Sequence, residues 1–247
     1  MTRRSLSVIL PAFNEEGSLE AVTRRVDAVF TALEQPGEII VVDDGSLDKT
    51  GLIADRLQDE IPRVRAIHHD RNRGYGAAQR TGIEAAVCEW VCVLPADGQV
   101  PPESLEAYVA AADQADVVVG RYRRRDDTWL RRLLSRSFNL TLRALFGLEL
   151  ANVNAPKLYR RAQLRDVVNT ADGGFADAQI VLQLHRQGRR FREVDVDCGP
   201  RLSGRSSVRT GAALRAVWDL WLFHRSSRRS SRAHHGSNGG SAPPSTR

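Results

Sequence analysis

Five short apolar runs separated by four amphipathic segments constrain this chain more than any other feature. Ser5-Leu6-Ser7-Val8-Ile9-Leu10 reads as a strand, and residues 17–34 carry Leu19, Val22, Val26, Val29, Phe30 and Leu33 at helical spacing. Glu38-Ile39-Ile40-Val41-Val42 is almost wholly apolar, as a strand covered on both faces must be. The spacing then predicts a helix over 48–60, a strand over 64–68, a helix over 75–88, a strand over 90–94, a helix over 102–114 and a strand over 116–119. A βαβαβαβαβ series with short connections requires a mainly parallel sheet with helices on both faces. Ligands in such sheets bind beyond the carboxyl ends of the strands, so the loops after Leu10, Val42 and Leu94 are where chemistry is expected.

The second half is less regular. Residues 129–147 predict a helix with Leu130, Leu133, Leu134, Phe138, Leu142 and Leu145 on one side and Arg132, Ser135, Arg136, Asn139 and Arg143 on the other. A helix over 175–187, a strand over 190–196 and a last amphipathic helix over 211–224 with Leu214, Val217, Trp218 and Trp221 follow. An Arg-rich polar face opposite Leu, Phe and Trp can lie flat in a membrane interface, or its apolar face can cap the sheet; the pattern allows both. Trp218 and Trp221 are expected to pack or to anchor at an interface.

Residues 1–225 are expected to form one α/β domain, with a nucleotide-binding half over 5–124, an acceptor-side half over 125–210 and a C-terminal helix over 211–225. Residues 226–247, rich in Ser, Gly and Pro, are expected to be a disordered basic tail. That tail holds Arg228, Arg229, Arg232 and Arg247 without an acid, so the formal net charge of +6 falls to +2 for the body. Nucleic acid is therefore not an expected partner. No stretch approaches the roughly 18 apolar residues of a membrane-spanning helix, and Met1-Thr2-Arg3-Arg4 enters the first strand without a signal-peptide core, so a cytoplasmic location is expected. The three cysteines, Cys88, Cys92 and Cys198, read as small buried hydrophobes, and His68 and His69 as structural or solvent-facing.

The loops carry oxygen-rich chemistry. Pro11-Ala12-Phe13-Asn14-Glu15-Glu16 follows the first strand; Pro11 ends the ladder and Asn14 can cap the next helix. Asp43-Asp44-Gly45-Ser46 follows the second. A turn needs only one acid, and two adjacent carboxylates repel, so the pair suggests acceptance of hydrogen bonds from a ribose or base, or a share in a cation. Asp97-Gly98-Gln99 places two hard oxygen donors two residues apart, suited to Mg²⁺ or Mn²⁺ beside a pyrophosphate. Asn72-Arg73-Gly74-Tyr75-Gly76-Ala77-Ala78 is a Gly-rich helix entry whose N–H groups could face phosphate.

In series, Ser7-Val8-Ile9-Leu10-Pro11-Ala12-Phe13-Asn14-Glu15, Val41-Val42-Asp43-Asp44-Gly45-Ser46, Asn72-x-Gly74-x-Gly76-Ala77 and Ala96-Asp97-Gly98-Gln99 resemble a family-2 glycosyltransferase of GT-A fold. Gly120-Arg121-Tyr122, Arg131-Arg132-Leu133-Leu134-Ser135, Asn154-Ala155-Pro156-Lys157-Leu158, Phe175-Ala176-Asp177-Ala178, Glu193-Val194-Asp195-Val196 and Arg201-x-x-Gly204-x-Ser206 resemble its polyprenyl-phosphate branch. The resemblance spans about residues 5–210. It implies an inverting hexosyltransferase that moves a sugar from a UDP- or GDP-linked donor to a polyprenyl-phosphate acceptor, on the cytoplasmic face of a membrane reached through amphipathic helices. The nucleotide-sugar site so implied comprises Pro11, Ala12, Asn14, Glu15, Asp43, Asp44, Gly76 and Asp97. Asp97 and Gln99 would hold Mg²⁺ or Mn²⁺, and Arg121, Arg131, Ser135 and Arg201 would receive the acceptor phosphate. Asp97, Arg121 and Asp177 are the implied catalytic groups.

Two departures from the family pattern bear on mechanism. Its Asp-x-Asp motif stands here as Pro95-Ala96-Asp97, with one ligand missing, and its later Asp-x-Glu as Asp177-Ala178-Gln179. An amide cannot be a general base. A sugar hydroxyl needs one, whereas a phosphate monoester, with its second pKa near 6, is already largely an anionic nucleophile at neutral pH. Gln179 thus accords better with a lipid-phosphate acceptor. A saccharide acceptor with Asp177 as base is one alternative, and a nucleotide-sugar binding protein with weakened chemistry is another.

Overall fold

The computed structural model describes residues 4–125, 129–173, 175–202 and Leu220. Its elements run β1 (Leu6–Ala12), α1 (Leu19–Ala32), β2 (Gly37–Asp43), α2 (Thr50–Glu60), β3 (Val64–His68), α3 (Tyr75–Ala85), β4 (Trp90–Val93), α4 (Leu105–Ala111), β5 (Val117–Arg125), α5 (Trp129–Phe146), β6 (Lys157–Arg160), α6 (Ala176–Arg186) and β7 (Phe191–Cys198). The expected α/β class is what the chain adopts. Seven strands form one sheet in the order β3-β2-β1-β4-β6-β5-β7, in which β6 alone runs antiparallel to its neighbours.

Alternation along the central strands divides the core in two. On β1, Leu6, Val8, Leu10 and Ala12 face the layer of α1, α2 and α4, while Ile9 faces the layer of α3 and α6. On β2, Ile39 and Val41 take the first side and Ile40 and Val42 the second. Both faces are dry, which is why these strands are apolar throughout; each such side chain contributes about 1.5–3 kcal/mol by leaving water. A third cluster joins Leu142 of α5 to Phe175, Ala178, Val181 and Leu182 and includes Leu220. Phe138 and Phe146 pack against it. The apolar side of α5 therefore caps the core at Phe138, Leu142 and Phe146, while Leu140 and Leu145 stay exposed. Among the described residues, no helix is long and apolar enough to cross a membrane.

The differences from the sequence expectation are local. The expected helix over 102–114 is α4 flanked by two short 3₁₀ turns, at Pro102–Ser104 and Ala112–Gln114, and β5 runs on to Arg125. β6 is not expected from patterning. It is a four-residue strand that begins with a lysine and ends with an arginine, and it enters the sheet between β4 and β5. Of the cysteines, Cys92 is buried, and burial pushes its thiol up to about 12; Cys88 and Cys198 are half-buried, and none of the three is in a disulfide. The expected helix over 211–224, apart from Leu220, and the tail over 226–247 lie outside the described residues.

Candidate active site

β1 pairs with β2 on one side and β4 on the other, so the chain reverses direction across the sheet at β1. The crevice beyond the ends of those three strands gathers Glu15, Asp43, Asp44 and Asp97, as the topology demands.

The loops after β1 and β2 bind each other before they can bind anything else. The amide of Asn14 donates to Ser46 Oγ (3.0 Å), that of Glu15 to Thr50 Oγ1 (2.8 Å) and that of Glu16 to Asp48 Oδ2 (3.2 Å). In return the Leu47 and Lys49 amides donate to Asn14 Oδ1 (2.9 Å) and Glu16 Oε2 (3.1 Å). Asn14, with φ of 55°, thus serves the junction of two loops. These bonds leave the Glu15 carboxylate pointing elsewhere: it accepts from Ser18 Oγ (2.8 Å) and meets Arg201 Nη1 (3.2 Å). Burial raises its carboxyl above the ordinary range, against the Ser18 hydrogen bond; Asp97 pushes it further up, Arg201 pulls it down and Asp48 raises it again.

The acidic pair does two structural jobs. Asp43 Oδ1 accepts from the Ser46 amide (3.0 Å) and its Oδ2 lies 3.1 Å from His68 Nδ1. Asp44 accepts from the amides of Arg73 (2.9 Å) and Gly74 (2.7 Å), and from His69 (2.7 Å), which is braced by Thr81 (2.9 Å). One acid would not suffice, because each holds a different turn. The Gly-rich entry to α3 is closed as well as tight. The Gly76 amide donates to Asp172 O (2.9 Å), and a Cβ at Gly76 would lie 2.0 Å from Ala171 O. At Gly74 and Gly76 the N–H groups expected to face phosphate are paired within the protein.

Asp97 is the best-placed oxygen donor. Its Oδ1 takes the Gln99 amide (3.0 Å) and its Oδ2 faces Arg201 Nη2 (3.1 Å). Residues 199–202 cross over this loop: Gly199 N donates to Gln99 O (2.8 Å), Leu202 N to Asp97 O (3.1 Å), and Gln99 Nε2 lies 3.4 Å from Gly199 O. Gly98 has φ of 71°, and a Cβ there would strike Leu202 Cδ1 at 2.4 Å. Glu15, Asp97 and Gln99 are hard oxygen ligands that fit Mg²⁺ or Mn²⁺, and a cation, Arg201, already stands between the two carboxylates. Among the described residues, no three His, Cys, Asp or Glu side chains gather as a self-sufficient metal centre. An ion held here would complete its shell with water and phosphate oxygens, as Mg²⁺ commonly does.

On the other side of the sheet Asp177 is buried. Its Oδ1 accepts from Lys157 Nζ (3.0 Å) and Gln79 Nε2 (3.0 Å), and Lys157 also donates to Ala155 O (2.6 Å). Burial lowers the Lys157 ammonium, opposed by Asp177. Gln179 accepts from the amides of Thr170 and Ala171 (3.0 Å each) and donates to Thr170 Oγ1 (3.0 Å), which fixes the loop against which Gly76 packs. Sequence patterning does not flag Lys157 or Gln79, while His69, expected to be structural or solvent-facing, is buried against Asp44. A readable signal exists for Lys157, one of two lysines in the chain, which sits between Ala155-Pro156 and Leu158-Tyr159.

Of the implied acceptor groups, Arg121 is exposed and donates to Asp195 Oδ1 (2.7 Å), whose carboxyl Arg121 holds below its ordinary range. Ser135 lies half-buried on α5. Arg131 is on the same helix, but its side chain lies outside the described residues. Pro11 and Ala12, at the end of β1, are buried.

The family model for "Glycosyl transferase family 2" matches residues 7–172. The chain belongs to that family. Curated relatives include two proteins each called undecaprenyl-phosphate 4-deoxy-4-formamido-L-arabinose transferase. The one from Aeromonas hydrophila is 33% identical over 218 residues, covering 87% of this chain and 66% of the relative. The one from Pectobacterium atrosepticum is 35% identical over 220 residues, covering 88% and 66%. The chain thus spans about two thirds of the length of these relatives. Glucosyl-3-phosphoglycerate synthase from Mycobacterium tuberculosis, solved with phosphoglyceric acid, superposes with a TM-score of 0.71 at 22% identity, over 90% of this chain and 80% of that one. The same enzyme has been solved with Mn²⁺, UDP and glucosyl-3-phosphoglycerate, with a TM-score of 0.70. At this identity the likeness is one of fold.

Proposed function

We propose that the chain is an inverting glycosyltransferase that moves a sugar from a nucleoside-diphosphate sugar to a polyprenyl phosphate at a membrane surface. The observation that carries this reading is the state of Asp177 and Gln179. The one is buried and ion-paired to Lys157, with Gln79 on the same Oδ1, and the other is an amide spent on a loop, so the pair does not offer the exposed general base that a sugar hydroxyl would need. A phosphate monoester needs none. Membership of the family and the undecaprenyl-phosphate acceptor in the relatives' names support the same choice.

In this reading the acceptor's phosphate oxygen attacks the anomeric carbon from the face opposite the leaving group, the bond to the nucleoside diphosphate breaks, and the configuration inverts. Mg²⁺ or Mn²⁺, when bound, neutralises the charge that develops on the diphosphate. Asp97, with Gln99 and Glu15, holds the cation side. Pro11, Ala12, Asp43 and Asp44, with the closed turn at Gly76, shape the nucleoside side. Arg121, Arg131, Ser135 and Arg201 receive the acceptor phosphate, and catalysis is alignment and charge compensation. The exposed Leu140 and Leu145 of α5 supply apolar contact with lipid.

Transfer of radiolabel from a panel of UDP- and GDP-sugars into an organic-extractable product, with purified protein, short-chain polyprenyl phosphate and Mn²⁺, tests the reading. Label is expected in the lipid phase from one donor. Label only in a water-soluble saccharide would overturn it.

A further inference from the structure

The two carboxylates closest to the cation role are bridged by a single guanidinium. Arg201 Nη1 lies 3.2 Å from Glu15 Oε1 and Nη2 3.1 Å from Asp97 Oδ2, at side-chain exposures of 24%, 12% and 8%. Glu15 comes from the loop after β1, Asp97 from the loop after β4, and Arg201, 104 residues after Asp97, from a strap pinned by Gly199 N and Leu202 N on Gln99 O and Asp97 O. Both of these anchors are backbone bonds of Gly199 and Leu202, and neither uses the Arg201 side chain. The guanidinium is there because two poorly hydrated carboxylates that repel one another need a counter-charge.

We infer that Arg201 is a tethered counter-cation that holds the Glu15–Asp97 position in the unloaded protein and competes with the divalent cation for it. This rests on the donor side of the function proposed above. Asp97 Oδ1 is bonded to the Gln99 amide, whereas Oδ2 faces the Arg201 guanidinium, so a cation held at Asp97 would meet the charge of Arg201 directly. A divalent ion and a guanidinium on one oxygen repel, and the ion, with twice the charge and shorter bonds, displaces the side chain. The displaced guanidinium stays beside the site, because its strap remains pinned on either side of it. With Pro95 in place of an acid, Glu15 supplies the second negative charge of this position.

Calorimetric titration of Mn²⁺ into the whole protein, with and without UDP, tests this directly. Arg201→Gln is expected to bind Mn²⁺ about tenfold tighter than the wild type, and Arg201→Lys, which keeps the charge but loses the fork, to fall between. Arg25→Gln removes one charge at the exposed Glu103 pair and is expected to leave the affinity unchanged. A gain cannot come from a damaged fold. Equal or weaker Mn²⁺ binding by both Arg201 variants overturns the inference and leaves the donor reading intact. Absence of Mn²⁺ binding from wild type and variants alike takes down the donor reading, and this inference with it.

Discussion

Lys157 Nζ lies 3.0 Å from Asp177 Oδ1, in a pair that joins the first residue of β6 to the first turn of α6. The lysine is 1% exposed, and its charge is tolerated only because Asp177 and the Ala155 carbonyl surround it. Lys157→Met leaves Asp177 with Gln79 as its remaining Oδ1 donor. It should lower the unfolding free energy by about 3 kcal/mol, read from urea denaturation. A loss below about 1 kcal/mol would mean that the pair is not a structural hinge of the sheet.

Gln179 separates loop support from acid–base chemistry. Gln179→Leu removes the acceptor for two amides and should cost about 2 kcal/mol in the same assay. Gln179→Glu keeps that acceptor, so stability should hold to within about 1 kcal/mol. Transfer to lipid should also stay within about threefold of wild type, since a phosphate nucleophile gains nothing from a new base. A large rise in rate would favour a hydroxyl acceptor.

Gly76→Ala places a methyl group 2.0 Å from Ala171 O, against backbone that cannot swing aside. A cost of about 1–3 kcal/mol in stability is expected. UDP affinity should weaken with it, because the same turn is tied through Gly74 to Asp44.

Asp97→Asn keeps the acceptor for the Gln99 amide while removing the charge. Transfer should fall by about 100-fold or more, and Mn²⁺ should no longer strengthen UDP binding in calorimetry. An unchanged Mn²⁺ effect would move the cation elsewhere.

His68 carries a pH dependence. Burial acts to lower its pKa, but hydrogen bonds to Asp43 and Asp55 outweigh this, and it is raised above 6.5. The imidazolium is favoured in the folded state, so its contribution is complete below the unfolded pKa of 6.5 and is lost as pH rises through the folded value. The gap in melting temperature between wild type and His68→Ala should therefore be wide at about pH 5.5 and narrow by about pH 8.5. At 38% exposure the contribution stays below about 1 kcal/mol.

The α/β class and the run of β1 to β4 were legible in the chain. A strand covered on both faces has no choice but to be apolar at every position, and the helices between such strands must show one apolar side. Local patterning reports burial, and burial is what those elements share. It does not report partners. β6 escaped because a lysine begins it, and that lysine is buried only because Asp177 arrives from another element. The two acids at Asp43-Asp44 looked redundant along the chain; in space one turns back to Ser46 and the other reaches the turn at Arg73-Gly74. Arg201 was legible as a phosphate ligand by resemblance alone. Only the tertiary structure set it between Glu15 and Asp97, which stand 186 and 104 residues before it, because a charge finds its counter-charge through space rather than along the sequence.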